Sequence, residues 1–280
     1  MIVPGGSRYD KQTGSSKEMS EHIKTTIDEK GIATVLIDRN ERRNAMTYEM
    51  LGAFIEACKQ LGENPDVKVV ILTGGAEGSF CAGIDLADLS SVPGSERNLR
   101  GRAEERGKWW PLVECPKPIV CAIDGPAVGM GAEFTSLCDV RIASTRARFA
   151  WNFVHRGLVP DTGAGTWLLP RLIGTSKALQ LLYSGAFLSA EEALGIGYVS
   201  RVVETDDLMA AAQAEAESFL AGSPYAIAKI KSLVYEGLER SIGEHMQVNT
   251  ADLADCFASN DHAEGVASFL EKRAPNFTGT

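Results

Sequence analysis

The chain lacks most of the features that would place it in a specialised class. Its six cysteines (Cys58, Cys81, Cys115, Cys121, Cys138 and Cys256) include no CxxC pair. That spacing offers neither a zinc site nor a disulfide framework, and several lie in apolar runs where a free thiol behaves as a small hydrophobe. Such usage is expected of a reducing compartment, and so of a cytoplasmic protein. No run of about 18 apolar residues occurs, so no membrane span is expected. The four histidines, His22, His155, His245 and His262, show no ligand spacing, and no metal is expected. Basic residues number 28 against 37 acidic, a net charge of −9. That argues against a nucleic-acid partner, which wants a basic face, but leaves room for a small basic patch for a phosphate-bearing ligand. The first twenty residues, MIVPGGSRYDKQTGSSKEMS, have no apolar h-region and contain acids. They fit neither a secretory signal nor an Arg-rich transit peptide. A disordered tail over 1–20 is expected, and Met19 could serve as a shorter start.

What is present is an ordinary globular composition, 44% apolar over 280 residues, enough for one large domain or two. Ile32 to Ile37, Val67 to Leu72, Ile119 to Ile123, Asp139 to Ala143 and Val199 to Val203 read as strands. Thr47 to Leu61 has helical spacing with Thr47 as N-cap and Glu49 in the first turn. Gly131 to Cys138 reads as a buried helix. Thr166 to Leu172, Ser176 to Ser184 and a segment capped by Ser189 read as further helices. Strands alternate with helices to residue 204, and from Thr205 the chain looks helical nearly to Ala274. The pattern predicts an α/β domain over 21–204 followed by an all-helical region over 205–280.

The most informative stretch is VVILTGGAEGSFCAGIDLADL, residues 69–89. An apolar run breaks through glycines into Phe80-Cys81-Ala82-Gly83-Ile84-Asp85-Leu86, where a helix is expected to start. Such a junction leaves free backbone N–H groups at one point, suited to a developing negative oxygen. The arrangement recurs in Ile119-Val120-Cys121-Ala122-Ile123-Asp124-Gly125-Pro126-Ala127-Val128-Gly129-Met130-Gly131-Ala132-Glu133. Two such turns predict a two-N–H oxyanion hole.

At these residues the chain resembles the crotonase superfamily, the enoyl-CoA hydratase/isomerase family. The matching segments run in the family's order from about residue 20 to the end. They are Arg39-Asn40-Glu41-Arg42-Arg43-Asn44-Ala45-Met46, Ser79 to Leu86, Gly129 to Glu133, Gly157-Leu158-Val159-Pro160-Asp161 with Leu169 to Gly174, and Glu264 to Arg273. The resemblance implies a spiral of ββα repeats and a helical tail that assembles a homotrimer or a dimer of trimers. It implies an acyl-CoA thioester substrate, with coenzyme A part of that substrate and no tightly bound cofactor. Residue by residue, the hole falls on the N–H groups of Ile84 and Met130; Met130 stands where the family usually has glycine. Arg43, Ala45, Cys81, Ala82, Asp85, Leu86, Phe269 and Lys272 would contact CoA, the last two often from a neighbouring subunit. The acyl pocket would draw on Leu89, Trp109, Trp110, Trp151 and Phe153, aromatics that equally suit a plain core. Asp85 alternatively caps a helix and orders the oxyanion loop.

Glu133 lies in an apolar helix, where a carboxylate is costly unless paired or used. It matches the first catalytic glutamate of the hydratases, though a structural salt bridge is the bland reading. The second should fall at residue 153, which is Phe153 and cannot transfer a proton. Asp161 is the natural replacement, since the Pro-Asp motif resembles that of ring-epoxide and enoyl-CoA isomerases of phenylacetate catabolism. Its alternative is an N-cap for the helix through Trp167. Asp124 and Asp139 read as structural. The favoured function is an enoyl-CoA hydratase/isomerase working by α-proton transfer, with Glu133 and Asp161 as acid and base. Acyl-CoA hydrolysis or C–C cleavage, and a catalytically silent CoA-binding or assembly subunit, are the rivals.

Overall fold

The computed structural model describes residues 20–91 and 110–280. Trp109 and most of the expected tail over 1–20 lie outside the described residues.

Among the described residues nine strands form two sheets. They are β1 (Ile23–Ile27), β2 (Ile32–Ile37), β3 (Val69–Thr73), β4 (Ile119–Ile123), β5 (Pro126–Val128), β6 (Val140–Ser144), β7 (Arg148–Ala150), β8 (Leu188–Ser189) and β9 (Arg201–Val203). The large sheet has the order β1-β2-β3-β4-β6-β9, and the small one β5-β7-β8. The β1–β2 pair is antiparallel, while β2 to β9 pair in parallel. A parallel sheet is covered on both faces, so its strands read as continuous apolar runs rather than alternations; β3 and β4 are buried throughout. Val70 and Leu72 join the main core, whereas Val69 and Ile71 face the opposite side with Leu208, Ala212 and Ala216.

The ββα spiral is visible in the pairings. After β4 the chain adds β5 and enters the helix Met130–Leu137; after β6 it adds β7. The two earlier turns make the same excursion with single residues. Cys81 pairs in parallel with Ala127 of β5 before the helix Leu86–Ser91, and Met46 pairs with Ile84 before the helix Tyr48–Glu63. Each turn is therefore stitched to the next at the place where its helix begins.

Most expected elements stand. Thr47 caps Tyr48–Glu63 by accepting the Met50 N–H at 3.1 Å, and Ser189 closes a capping box with Glu192. Four corrections follow. The strand expected from Val67 begins at Val69, and the one expected from Val199 begins at Arg201. The strand expected over Asp139 to Ala143 runs one residue later. The helix expected over Thr166 to Leu172 begins as a π turn, Ala164–Leu168, and continues as Leu169–Ile173. The boundary at 204 does not separate core from appendage, because the helix Leu208–Phe219 packs on β3, β4 and β6. The helix Pro224–Gly237 is also anchored: buried Lys231 Nζ reaches Asp139 at 2.9 Å and the Leu112 carbonyl at 3.0 Å. The helices Ile242–Ala258 and Asn260–Glu271 carry exposed apolar side chains instead, including Phe257, Phe269 and Leu270.

Candidate active site

The loop expected to supply the first oxyanion-hole N–H follows β3. Met46 N–H donates to the Gly83 carbonyl at 2.8 Å, and Asp85 N–H donates to the Met46 carbonyl at 2.8 Å. In this parallel bridge Ile84 uses neither of its own amide groups, so its N–H turns to the other side. Met130 opens its helix, where the first N–H groups have no intrahelical acceptor. Neither N–H has an acceptor among the described residues. The two come together around Gly83: a Cβ built there would lie 3.5 Å from Met130 N and 2.8 Å from the Val128 carbonyl oxygen. With φ at +91°, that position suits glycine in conformation as well as in space. Gly131 is as tight, since a Cβ on it would lie 2.2 Å from the Cys81 carbonyl oxygen. The bare glycines let successive turns of the spiral touch and leave two backbone donors side by side.

The loop is held from below by a residue the sequence reading passed over. Asn44 is fully buried in a left-handed conformation, φ 56°. Its Nδ2 donates to the carbonyls of Ser79 at 2.7 Å and Gly74 at 3.0 Å, while its Oδ1 accepts Arg39 N–H at 2.7 Å. Arg39 Nη1 then reaches Asp85 at 2.8 Å and the Ala45 carbonyl at 2.9 Å. Its hydrogen bond holds the Asp85 carboxyl below its ordinary value, and Asp85 Oδ1 accepts Ala87 N–H at 2.9 Å, capping the next helix. The only available signal for Asn44 and Arg39 was their place in the matching segment 39–46; polar residues in a polar run otherwise read as solvated.

Glu133 sits in the first turn of Met130–Leu137 with no exposed surface. The Gly165 N–H donates to its Oε1 at 2.9 Å, and the Thr162 N–H to Oε2 at 3.3 Å. Its side chain is also hydrogen-bonded to Asp161. Burial, and then the adjoining carboxyl of Asp161, push Glu133 up to about 8. Two acids with one proton between them are the arrangement by which a site keeps a carboxyl protonated near neutrality. Asp161 does not cap the following helix; Gly163 stands at that position and makes no side-chain cap, while Thr162 Oγ1 accepts Ala164 N–H at 3.1 Å. A π turn is a common device at functional sites, and here it presents Gly165 N–H to Glu133.

The remaining expected site residues divide. Phe153 reaches the site: its Cζ lies 3.9 Å from where a Cβ on Gly129 would stand. Trp110 is half-buried with its ring 5.8 Å from that of Phe134, and Leu89 is half-buried on the helix after the loop. Trp151 is a correction. It is fully buried and meets Tyr198 edge-on at 5.3 Å, so it belongs to the core rather than to an acyl pocket. Cys81 is buried beside the loop, its thiol pushed by burial up to about 12; Ala82 and Ala45 are half-buried, and Leu86 is exposed. Arg43 is exposed, its carbonyl accepting Ala82 N–H at 3.0 Å. Phe269 and Lys272 lie on the C-terminal helix segment. Phe269, 82% exposed, lines a cleft of about 480 Å³ built wholly from residues of 223–277, and the carboxyl pair is not part of it. Among the described residues no group of His, Cys, Asp and Glu is placed to hold a metal, and no helix is long and apolar enough to cross a membrane.

A strand–strand–helix spiral with two main-chain donors beside a buried carboxyl has the crotonase fold, shared with the enoyl-CoA hydratase of Bacillus anthracis (TM-score 0.85, 28% identity, 93% of this chain and 100% of that one). Residues 28–280 match the family described as Enoyl-CoA hydratase/isomerase, and the chain belongs to that family. It is 35% identical to the 1,2-epoxyphenylacetyl-CoA isomerase of Escherichia coli, over 93% of this chain and 100% of the relative. It is 34% identical to the crotonyl-CoA hydratase of Syntrophomonas wolfei, over 89% and 95%. The protein is therefore an enzyme that processes acyl-CoA thioesters.

Proposed function

We propose that the enzyme moves a double bond, or isomerises a related group, on an acyl-CoA thioester by α-proton transfer. The thioester carbonyl sits between the N–H groups of Ile84 and Met130. As the α-proton leaves, charge grows on that oxygen, and losing one donor of such a hole costs about 3 kcal/mol. Asp161 takes the proton and returns it at a second carbon. Glu133, held by Gly165 and Thr162, shares its proton with Asp161 and stabilises each charge state.

The observation that carries this reading is the direct hydrogen bond between Glu133 and Asp161. Hydration needs a water held between two separate carboxylates, whereas here the two acids face one another and the usual second position is Phe153. The similarity to an epoxyacyl-CoA isomerase points the same way. A mass-spectrometric screen of 2-enoyl- and 3-enoyl-CoA thioesters tests it. The expected product has unchanged mass and a shifted double bond. A product one water heavier transfers the reading to hydration, and release of free CoA to hydrolysis. No turnover beside tight binding would leave a silent CoA-binding subunit.

Around this chemistry, Arg43 contacts a CoA phosphate, a role its guanidinium suits. Ala45, Cys81, Ala82, Asp85 and Leu86 flank the pantetheine. Phe269 and Lys272 meet the adenine of a neighbouring subunit in a homotrimer or a dimer of trimers. The exposed apolar side chains of the last two helices support such an assembly. The six unpaired cysteines support a cytoplasmic location.

A further inference from the structure

The turn that leads into Met130 has beside it a polar group that neither the carboxyl pair nor the proposed hole uses. Asn152 follows β7 and is half-buried. Its Oδ1 lies 3.8 Å from where a Cβ on Gly129 would stand, next to the Phe153 Cζ at 3.9 Å. Gly129 immediately precedes the donor Met130 and is tied to the β7 end by its N–H, which donates to the Ala150 carbonyl at 2.8 Å. The Asn152 side chain thus approaches the residue whose peptide carries the Met130 N–H. Behind Asn152, Gly185 closes up, so that a Cβ there would lie 3.2 Å from the Asn152 Cα. The side-chain amide has no hydrogen-bond partner among the described residues. A half-buried amide without a partner forfeits hydrogen bonds when a hydrocarbon covers it.

We propose that Asn152 is a specificity-determining residue that hydrogen-bonds an oxygen borne on the acyl chain a few carbons beyond the thioester. The enzyme's substrates are then oxygenated acyl-CoA thioesters, carrying a carbonyl, hydroxyl or ring oxygen, in preference to plain alkenoyl chains. The amide can donate through Nδ2 or accept through Oδ1, which suits each of these groups. A site built to pair a polar substituent discriminates against the analogue lacking it, because its own group is then left unpaired. This inference rests on the proposed placement of the thioester between Ile84 and Met130.

Equilibrium binding separates it from the reading of the reaction, because saturated thioesters bind without turning over. The probes are pentanoyl-CoA and 4-oxopentanoyl-CoA, measured by calorimetry on the full-length protein. The unaltered protein is expected to bind the ketone about five- to tenfold more tightly. Asn152→Leu is expected to bring the ratio to about one while leaving the pentanoyl-CoA affinity within about twofold. Asn152→Ala provides a second variant if the leucine disturbs folding. A ratio near one in the unaltered protein overturns the proposal whatever the variants do. So does a ratio that survives both substitutions, or an equal loss for both ligands, which would assign Asn152 to packing. If neither thioester binds, the placement between Ile84 and Met130 fails and this inference falls with it; a missing ratio beside normal binding sinks the inference alone.

Discussion

Glu133 and Asp124 are both carboxylates with no exposed surface, and they meet opposite surroundings. Asp124 receives Arg146 Nη2 at 2.5 Å, Ser144 Oγ at 2.6 Å and Gly78 N–H at 3.1 Å. Burial alone would raise it, but these donors and the arginine charge outweigh burial and hold it below its ordinary value. Glu133 has two backbone donors and no cation; burial and the facing acid Asp161 push it up. The first carboxylate is satisfied and joins β4 to the loop after β6. The second is left with a proton that it can give away at neutral pH. The cation beside Asp124 suits a structural joint, and the acid beside Glu133 suits the acid–base role proposed for the pair.

The comparison can be broken most severely at Glu133. Glu133→Gln keeps the shape and the shorter of the two N–H bonds, from Gly165, but gives up the second acceptor oxygen and the shared proton. Turnover by the folded variant should fall about 10³-fold, within the usual span for acid–base groups, with thioester binding by calorimetry nearly unchanged. Asp161→Asn should cost about 10²- to 10³-fold in turnover. It also sharpens the contrast, because it removes the second cause of the raised Glu133 value and leaves the first. Titrated by carbon NMR of labelled glutamate, Glu133 should then fall below about 8 yet stay above its ordinary range, because burial persists.

Asp124→Asn is the matching change on the other side. It strands Arg146 and weakens the joint, so the loss should appear in stability. Breaking a fully buried pair costs about 3–5 kcal/mol. Arg146 keeps 51% of its side-chain surface exposed, which reduces the expectation to about 2 kcal/mol. Chemical denaturation measures it, and the turnover of the folded fraction should stay within about twofold. Full activity after loss of Glu133 with a large loss after Asp124→Asn would reverse the two assignments.

The smallest effect is a pH dependence of stability. In the folded protein Glu133 keeps its proton up to about 8, whereas in the unfolded chain it releases it near the ordinary 4.5. Between those values the native state binds the extra proton, so the contribution of this group is complete below 4.5 and is lost as pH rises towards 8. Glu133→Gln does not titrate. Its melting temperature relative to the unaltered protein should therefore climb by a few degrees (roughly 2–6 °C) from pH 5 to pH 8 and then level off. Asp124, with its lowered value, is expected to lose its contribution only in acid. A flat difference across that range would mean that Glu133 is not held protonated.

Much of this was legible before the structure. β3 and β4 announce themselves because strands buried on both faces read as near-continuous apolar runs, and β2 and β6 keep most of that pattern around Thr34 and Arg141. Glu133 stood out as a charge inside an apolar helix, and Phe153 as a residue of the wrong chemistry. What escaped notice has a common cause. β5, β7 and β8 are two or three residues long, too short for any periodicity, and exist only because distant turns of the spiral meet there. Asn44 binds carbonyls 30 to 36 residues away, and nothing local distinguishes it from a solvated asparagine. Trp151 and Phe153 are two residues apart, yet one faces the core and the other the site. That difference depends on where the short strand β7 ends.

The proposed hole of main-chain amides also divides the chain into positions where selection can act and positions where it has nothing to act on. Ile84 and Met130 contribute no side-chain atom to the hole, so many exchanges there leave the charge-stabilising groups in place. Their neighbours Gly83 and Gly131 supply neither of the two proposed donors, but any added carbon drives into the next turn, 2.8 Å from Val128 O or 2.2 Å from Cys81 O. In a saturation library the donors would look permissive and the silent glycines beside them invariant. In such a site the residues named for the chemistry tolerate exchange, and those with no side chain at all do not.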